Sequence, residues 1–330
     1  MKNLTRRRFL QESSLLMGAA LVPSPLLAQQ KKTSLQSVHR FSVGQVQCSV
    51  LKDFALDYET GMFFSEPSPE IEEQYDAYDN IHNGTVHSPY SAMLLRMNDQ
   101  NILLDTGIGY HQNPVSLGDH QVEMKGQLQS LLQEENLGPE DVDMVIISHF
   151  HPDHIGGIYT EEGKLNFPQA EIVVDQQEWD FWHSEEGQNL MPLFTDFIRE
   201  NIHPLDKSTV RFLQEDYQNV VPGITAIQAP GHTPGHRVLI IESGGEKLLY
   251  AADTFLHPIH VENLSVQTVF DYDPQQARKS REKVLNIAEE EDALVHAFHF
   301  AYPGLGRVAR KGSQWLWEYT DQTASLNTDR

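Results

Sequence analysis

"ISHFHPDHIGG", residues 147–157, sets His149, His151, Asp153 and His154 into six positions at the end of the apolar run "VDMVII", residues 142–147. That run reads as a short buried strand, and the residues just beyond it decide the fold. On extended backbone, residues two apart point the same way, so His149 and His151 can aim two imidazoles at one ion. Pro152 then ends the strand. A helix starting there projects Asp153 and His154 from its first turn back over the same opening, where they can hold a second ion about 3.5–4 Å from the first. The spacing supplies two half-sites, and each is short of the four ligands zinc usually takes.

Three later segments offer the missing donors, each beside an apolar run: "APGHTPGH" with His232 and His236, "LLYAADTF" with Asp253, and "LVHAFHFAYPG" with His296 and His299. In the first, spacing alone leaves both histidines open. In the last, strand alternation puts the two histidines on opposite faces, so one of them can point at the site; His299 is nearer the strand's end and is the choice. Asp105 in "LLDTG" reads either as a carboxylate supporting a ligand histidine or as an aspartate stabilising the turn before Gly107.

Strand and helix signals alternate around these segments. "HRFSVGQVQCSVLKDF" (39–54) alternates as two strands about Gly44, and "YSAMLLRMNDQNILLDTG" (90–107) as a hairpin bent at 98–101. Residues 56–88 between them are polar and acidic and predict a long loop rather than core. Leucines at helical spacing over 127–136 precede the motif strand. "EIVVD" then leads into a helix from Gln176, "GITAIQ" opens a run of strands ending near Asp253, and a polar helix spans 274–290. "ALVHAFHF" reads as the last buried strand and "RVARKGSQWLWEY" as a closing hairpin. No repeat marks a solenoid. Cys48, the single cysteine, sits among alternating apolar residues, so it reads as core and rules out an internal disulfide or a multi-thiolate zinc cluster.

Residues 1–28 differ in kind. Lys2 and Arg6-Arg7-Arg8 precede the apolar stretch Phe9–Leu27, and "TRRRFL" resembles a twin-arginine export signal, with cleavage after Ala28 in keeping. A membrane anchor is disfavoured because Glu12, Ser13, Ser14, Pro23 and Pro25 break the stretch. The expectation is a periplasmic or secreted protein with one domain over 29–320 and a loose tail at 321–330. Removing the signal's net +3 takes the formal charge from -23 to -26. Such a field repels nucleic acid and anionic lipid, so neither is expected as a partner.

The motif and the order of the later donors resemble the metallo-β-lactamase superfamily, whose HxHxDH signature is matched by His149, His151, Asp153 and His154. The resemblance spans nearly all of the chain after the signal. It implies an α/β four-layer αβ/βα sandwich, two mixed β-sheets flanked by helices. It also implies two divalent metal ions, zinc by default: one on His149, His151 and His232, the other on Asp153, His154 and His299, with Asp253 between them. His232, directly after Pro230-Gly231, is favoured over His236 on that ground. The implied chemistry is hydrolysis by a metal-bridging hydroxide, with Asp253 and Asp153 as catalytic carboxylates, Asp153 able to carry a proton to the leaving group.

Among branches of the superfamily, Asp253 and the distance of Cys48 from every motif argue against the β-lactam-hydrolysing members, His151 against the flavin-linked di-iron reductases, and the acidic charge with an export signal against the transfer-RNA nucleases. "AADTFLHP" and "HFAYPGLG" resemble the branch of methyl parathion hydrolase and its lactonase and arylesterase relatives. The expected substrate is therefore a small uncharged lactone or aryl ester, with a phosphotriester as the alternative and a non-catalytic periplasmic zinc-binding protein as a third reading. Candidate pocket residues are Met62, Phe63, Phe64, Phe150, Trp179, Phe181, Trp182 and His257; Phe181 and Trp182 can equally face a core from a helix. A homodimer is compatible with the resemblance, although the sequence identifies no exposed apolar face.

Overall fold

The computed structural model describes residues 37–111, 114–117, 120–190 and 197–320. The expected export signal (1–28) and tail (321–330) lie outside them. Among the described residues, two large mixed sheets pack face to face. The first runs through β1 (Val38–Val43), β2 (Val46–Glu59), β3 (Ile81–His82), β4 (Thr85–Met97), β5 (Gln100–Leu104), β6 (Met144–Ile146), β7 (Glu171–Asp175) and β8 (Val210–Leu213). Its order is β1-β2-β4-β5-β6-β7-β8 with β3 beside β4. Pairing is antiparallel as far as β5 and parallel beyond it. The second sheet keeps sequence order: β9 (Tyr217–Val221), β10 (Ile224–Gln228), β11 (Arg237–Ser243), β12 (Glu246–Tyr250), β13 (Leu294–His296), β14 (Leu305–Lys311) and β15 (Gln314–Tyr319), with β12 and β13 parallel.

Period-two alternation sorts side chains between layers. Met93, Leu95, Ile102 and Leu104 of the first sheet meet Ile224, Leu239, Ile241 and Leu248 of the second in the central core, together with buried Cys48. Their alternates Leu94, Leu103, Val145 and Val174 face the helices 128–134 and 176–182 on one outside face. Ile227, Val238, Leu249 and Val295 face the helix Pro274–Glu290 on the other through Val284, Leu285 and Ala288. The result is the four-layer αβ/βα sandwich. No helix among the described residues is long and apolar enough to cross a membrane.

One expectation is corrected. Residues 56–88 are not a bare loop: β2 continues to Glu59, β4 starts at Thr85, and the intervening turns of helix and the short strand β3 bury Phe63, Phe64, Ile71 and Ile81 in a small core with Val86, Leu256, Ile259 and Val266. The acidic residues of the segment stay outside, and they mask the few apolar anchors beneath.

The last buried strand is also shorter than its apolar run suggests. β13 ends at His296, and His299 lies in the turn beyond it.

Candidate metal centre

The donors come from segments that follow strand ends. After β6, Pro152 opens the short helix Pro152–Ile155, so His149 and His151 precede the turn while Asp153 and His154 emerge from it. β10, β12 and β13 run in one direction, β10 antiparallel to β11, β11 antiparallel to β12, and β12 parallel to β13. Their carboxyl ends therefore open on one edge and release His232, Asp253 and His299 there. Gly231, at φ +130°, makes the turn to His232 possible: a Cβ there would lie 2.1 Å from the backbone nitrogen of Ala277. Ala252, immediately before Asp253, has φ +43°, a left-handed conformation that costs an alanine energy and is found where a site dictates the backbone.

Two groups of donors result, His149, His151, His232 and Asp253 in one and Asp153, His154 and His299 in the other, all buried or nearly so, with the donor atoms of each group within 4.8 Å of one another. Asp253 lies between them. One of its oxygens, Oδ2, is 3.2 Å from His232 Nε2, 3.0 Å from His299 Nε2 and 3.8 Å from His149 Nε2, and Oδ1 is 3.1 Å from His154 Nε2. Asp153 Oδ2 is 3.4 Å from His299 Nε2. His232 Nε2 is 2.9 Å from His151 Nδ1.

His149 Nε2 is buried with no hydrogen-bond partner, and His154 Nε2 and Asp253 Oδ1, also buried, face only each other at 3.1 Å. Under-satisfied polar atoms converging in one place are costly unless something meets them. A pair of divalent cations fits, because imidazole nitrogens and carboxylate oxygens are the donor set that suits zinc. These are two metal-binding sites that meet at Asp253.

The outer nitrogens of the histidines are held by other groups, which aims the inner ones. Asp105 accepts from Ser148 N (2.7 Å), Ser148 Oγ (2.8 Å) and Tyr250 Oη (2.7 Å) and lies 2.7 Å from His154 Nδ1. Asp271 faces His232 Nδ1 at 3.2 Å and is itself paired with the buried Arg281 at 2.8 Å. Ser88 Oγ is 2.8 Å from His299 Nδ1. His236 stands apart from both groups: its Nε2 accepts from the backbone N–H of Asp253 at 3.1 Å, so its Nδ1 carries the proton donated to Ala229 O. His296 is stacked on Tyr250 in the interior.

Charges follow the same arrangement. Burial drives His149 and His151 well below the usual histidine range. Burial also opposes a charge on His154 and His232, but neighbouring carboxylates outweigh it: Asp253, Asp105 and Asp153 hold His154 well above its usual value. Hydrogen bonds to Asp253 and Asp271 raise His232 to about 9. Asp253 is kept ionised by His154 and His299 against the cost of burial, whereas for Asp153 burial prevails and its pKa rises.

A cleft of about 40 Å³ opens onto Asp153, Asp253 and His299 and is walled by Tyr58, Phe63, Leu256 and Phe270. Of the eight expected pocket residues, Phe63 is on that wall. Phe150, Trp179 and Trp182 belong to the outer core of the first sheet, because helical spacing turns both tryptophans toward it, and Trp182 touches His151 only from behind. Phe181 packs on Trp182 and Tyr272. Phe64 lies in the small core, packed edge-on against His257, whose Nδ1 caps the following helix. Met62 contributes its backbone carbonyl to Thr268 and Val269 rather than a side chain to the cleft. A larger open depression, about 530 Å³, is lined by Asp57, His82 and His87 and contains none of the metal-group residues. Asp57 and Tyr58 are strand neighbours and face opposite sides, which separates the two cavities.

A family model of the metallo-beta-lactamase superfamily matches residues 87–299. The chain belongs to that superfamily. An N-acyl homoserine lactonase from Bacillus sp is 30% identical over 174 residues, an alignment covering 52% of this chain and 60% of the relative's own length. One from Bacillus cereus is 26% identical over 222 residues, 64% of this chain and 81% of the relative. Among solved structures, the dizinc quorum-quenching lactonase AidC, in complex with an N-hexanoyl-homoserine product, is 26% identical with a TM-score of 0.71 over 86% of this chain and 97% of that one. Hydrolase AbOPH of the β-lactamase superfamily, at 24% identity and TM-score 0.73 over 86% and 97% of the two chains, shares the fold.

Proposed function

We propose that this superfamily member is a dinuclear metal-dependent lactonase whose substrates are uncharged lactones bearing an apolar acyl group, the N-acyl homoserine lactones among them. The observation that carries the reading is the junction of both metal-binding groups at Asp253 directly beneath a cleft with aromatic and aliphatic walls. The lactonase relatives and the dizinc lactonase of the same fold support it. When bound, the two ions supply Lewis acidity for the group under attack and a water acidic enough to react at neutral pH.

Side chains of this protein do the rest. Phe63, Phe270 and Leu256 exclude water and hold an apolar acyl or alkyl chain, giving no counter-charge to an ionic substrate. Asp153, whose carboxyl lies at the cleft, is placed to take the proton given up by the attacking water and pass it to the alkoxide that leaves when the ring opens.

Purified protein loaded with zinc is assayed against hexanoyl homoserine lactone, dihydrocoumarin, phenyl acetate and methyl paraoxon. Lactones are expected to be turned over fastest, and Asp253→Ala to abolish turnover while the protein stays folded. A phosphotriester or aryl ester preferred over every lactone would move the protein to the methyl parathion hydrolase type that "AADTFLHP" resembles. Protein holding two ions and hydrolysing nothing would refute the enzyme reading.

A further inference from the structure

Tyr58 and Tyr90 meet hydroxyl to hydroxyl beside the second metal-binding group. They project from adjacent antiparallel strands, Tyr58 near the end of β2 and Tyr90 in β4 opposite Phe54. Tyr58 lines the cleft with Asp153, Asp253 and His299. Tyr90 lies behind it, almost fully buried, with its ring against Phe54, Phe298 and His299 at centroid distances of 5.9, 6.3 and 5.6 Å.

Two phenols carry two O–H protons, but their mutual bond uses one of them. Neither hydroxyl has any other hydrogen-bond partner among the described residues. One proton is therefore unclaimed, and its location is decided by which tyrosine donates. If Tyr58 donated, the spare proton would sit on Tyr90 among rings, a buried donor with no acceptor, which is the expensive arrangement. If Tyr90 donates, the spare proton sits on Tyr58 at the cleft, where water or substrate can accept it. Phenols ordinarily stay protonated below about pH 10.

We propose that Tyr58 is a catalytic residue that donates a hydrogen bond to the substrate oxygen on which charge develops, with Tyr90 as the positioning residue that fixes the direction of that donation. The inference rests on the hydrolase reading and deepens it. A fixed neutral donor at a water-poor cleft stabilises developing negative charge without competing for the metal-binding carboxylates. The aromatic wall gives the donor a rigid mount, because the Tyr58 ring is wedged between Phe63 and Phe270 at 5.3 and 5.6 Å.

The test compares zinc-loaded Tyr58→Phe, Tyr90→Phe and the double variant with the parent on hexanoyl homoserine lactone. Tyr58→Phe is expected to lower kcat on the order of 10²-fold, with KM nearly unchanged, two ions still bound and the melting temperature retained. Tyr90→Phe leaves the Tyr58 proton but not its aim, so its loss is smaller, and the double variant is no worse than Tyr58→Phe because both act through one proton. Parent kcat in Tyr58→Phe, a larger loss in Tyr90→Phe, or additive losses would each overturn the relay. Binding of N-hexanoyl-homoserine, the ring-opened acid, is read by calorimetry on the same proteins. About tenfold weaker binding in Tyr58→Phe supports the donor even if the parent turns over no lactone, and equal affinity counts against it. A parent that binds two ions and hydrolyses nothing thus overturns the hydrolase reading, while the binding measurement decides the role of Tyr58.

Discussion

Glu178 joins the two loops that carry the first metal-binding group, and replacing it with glutamine isolates that function. Its buried carboxylate sits on the helix Gln176–Trp182. One oxygen accepts from Phe150 N (2.9 Å) and Trp182 Nε1 (2.7 Å), the other from Thr233 Oγ1 (2.7 Å) and Gly235 N (2.9 Å). Phe150 lies between His149 and His151, and Thr233 follows His232, so a single carboxylate ties together the backbone of three donors. Glutamine keeps one acceptor oxygen and turns an amide NH2 toward the other two donors. Leaving two buried donors opposed costs about 1–3 kcal/mol each. Burial already pushes the Glu178 pKa up despite its four donors, so the carboxylate's own desolvation offsets part of what it contributes. We expect a net loss of about 3 kcal/mol, which for a domain of roughly 280 residues lowers Tm by about 5 °C. The first ion should also bind about 10–100-fold more weakly, whereas Asp153, His154 and His299 make no contact with the clamp and the second ion should weaken much less. Thermal melting, with competition against a chromophoric chelator that resolves the two ions, measures both. Unchanged Tm, or equal weakening of the two ions, would refute this reasoning.

Protonation of His232 gives a second test, in protein stripped of metal. Its pKa is raised to about 9 against 6.5 for an ordinary histidine, so the imidazolium's stabilisation is complete below pH 6.5 and is lost as pH rises through 9. The size is on the order of 3 kcal/mol, and Asp271→Asn should diminish it. Melting of the stripped protein from pH 6.5 to 9.5 should show the fall, which metal-loaded protein lacks because a ligating nitrogen carries no proton; a flat profile in stripped protein would contradict it. Phe270 is only partly buried on the cleft wall, and Phe270→Ala should widen the entrance at little cost to the fold. The ratio of kcat/KM for decanoyl over butanoyl homoserine lactone should rise about tenfold, and an unchanged ratio would show that the acyl chain does not pass this ring.

The donors are legible in the sequence because the fold brings them close to strand ends, where an apolar run stops and a histidine or aspartate comes next. "HFHPDH" compresses four of them into one turn, and "APGH" and "AAD" each succeed a short run that reads as a strand and is one. The segment over 56–88 is not legible in that way. Its charges outnumber its anchors, and whether Phe63 is a loop aromatic or the keystone of a small core depends on Leu256, Ile259 and Val266, which lie far along the chain. Tyr58 is hidden for the same reason, and Phe270 because its segment carries no motif. Aromatic content alone does not say which side of a helix faces the sheet, so the tryptophans of "EWDFW" pass for cleft residues until the helix is packed.

The supports of the histidines are hidden for a related but distinct reason. Ser88 and His299 are 211 residues apart, Glu178 and Gly235 57, Asp271 and His232 39. No local spacing rule links such pairs. Asp105 is the exception, since "LLDTG" ends a strand lying directly beside β6, and parallel neighbours place their succeeding residues side by side. A carboxylate one strand away from the motif strand can thus be inferred from sheet order once that order is known. One held by a helix, such as Glu178, requires knowing how the helix packs on the sheet. The ions can therefore be placed from the chain's pattern, while the groups that aim their ligands, and with them the relative affinities of the two sites, emerge only when the layers are assembled.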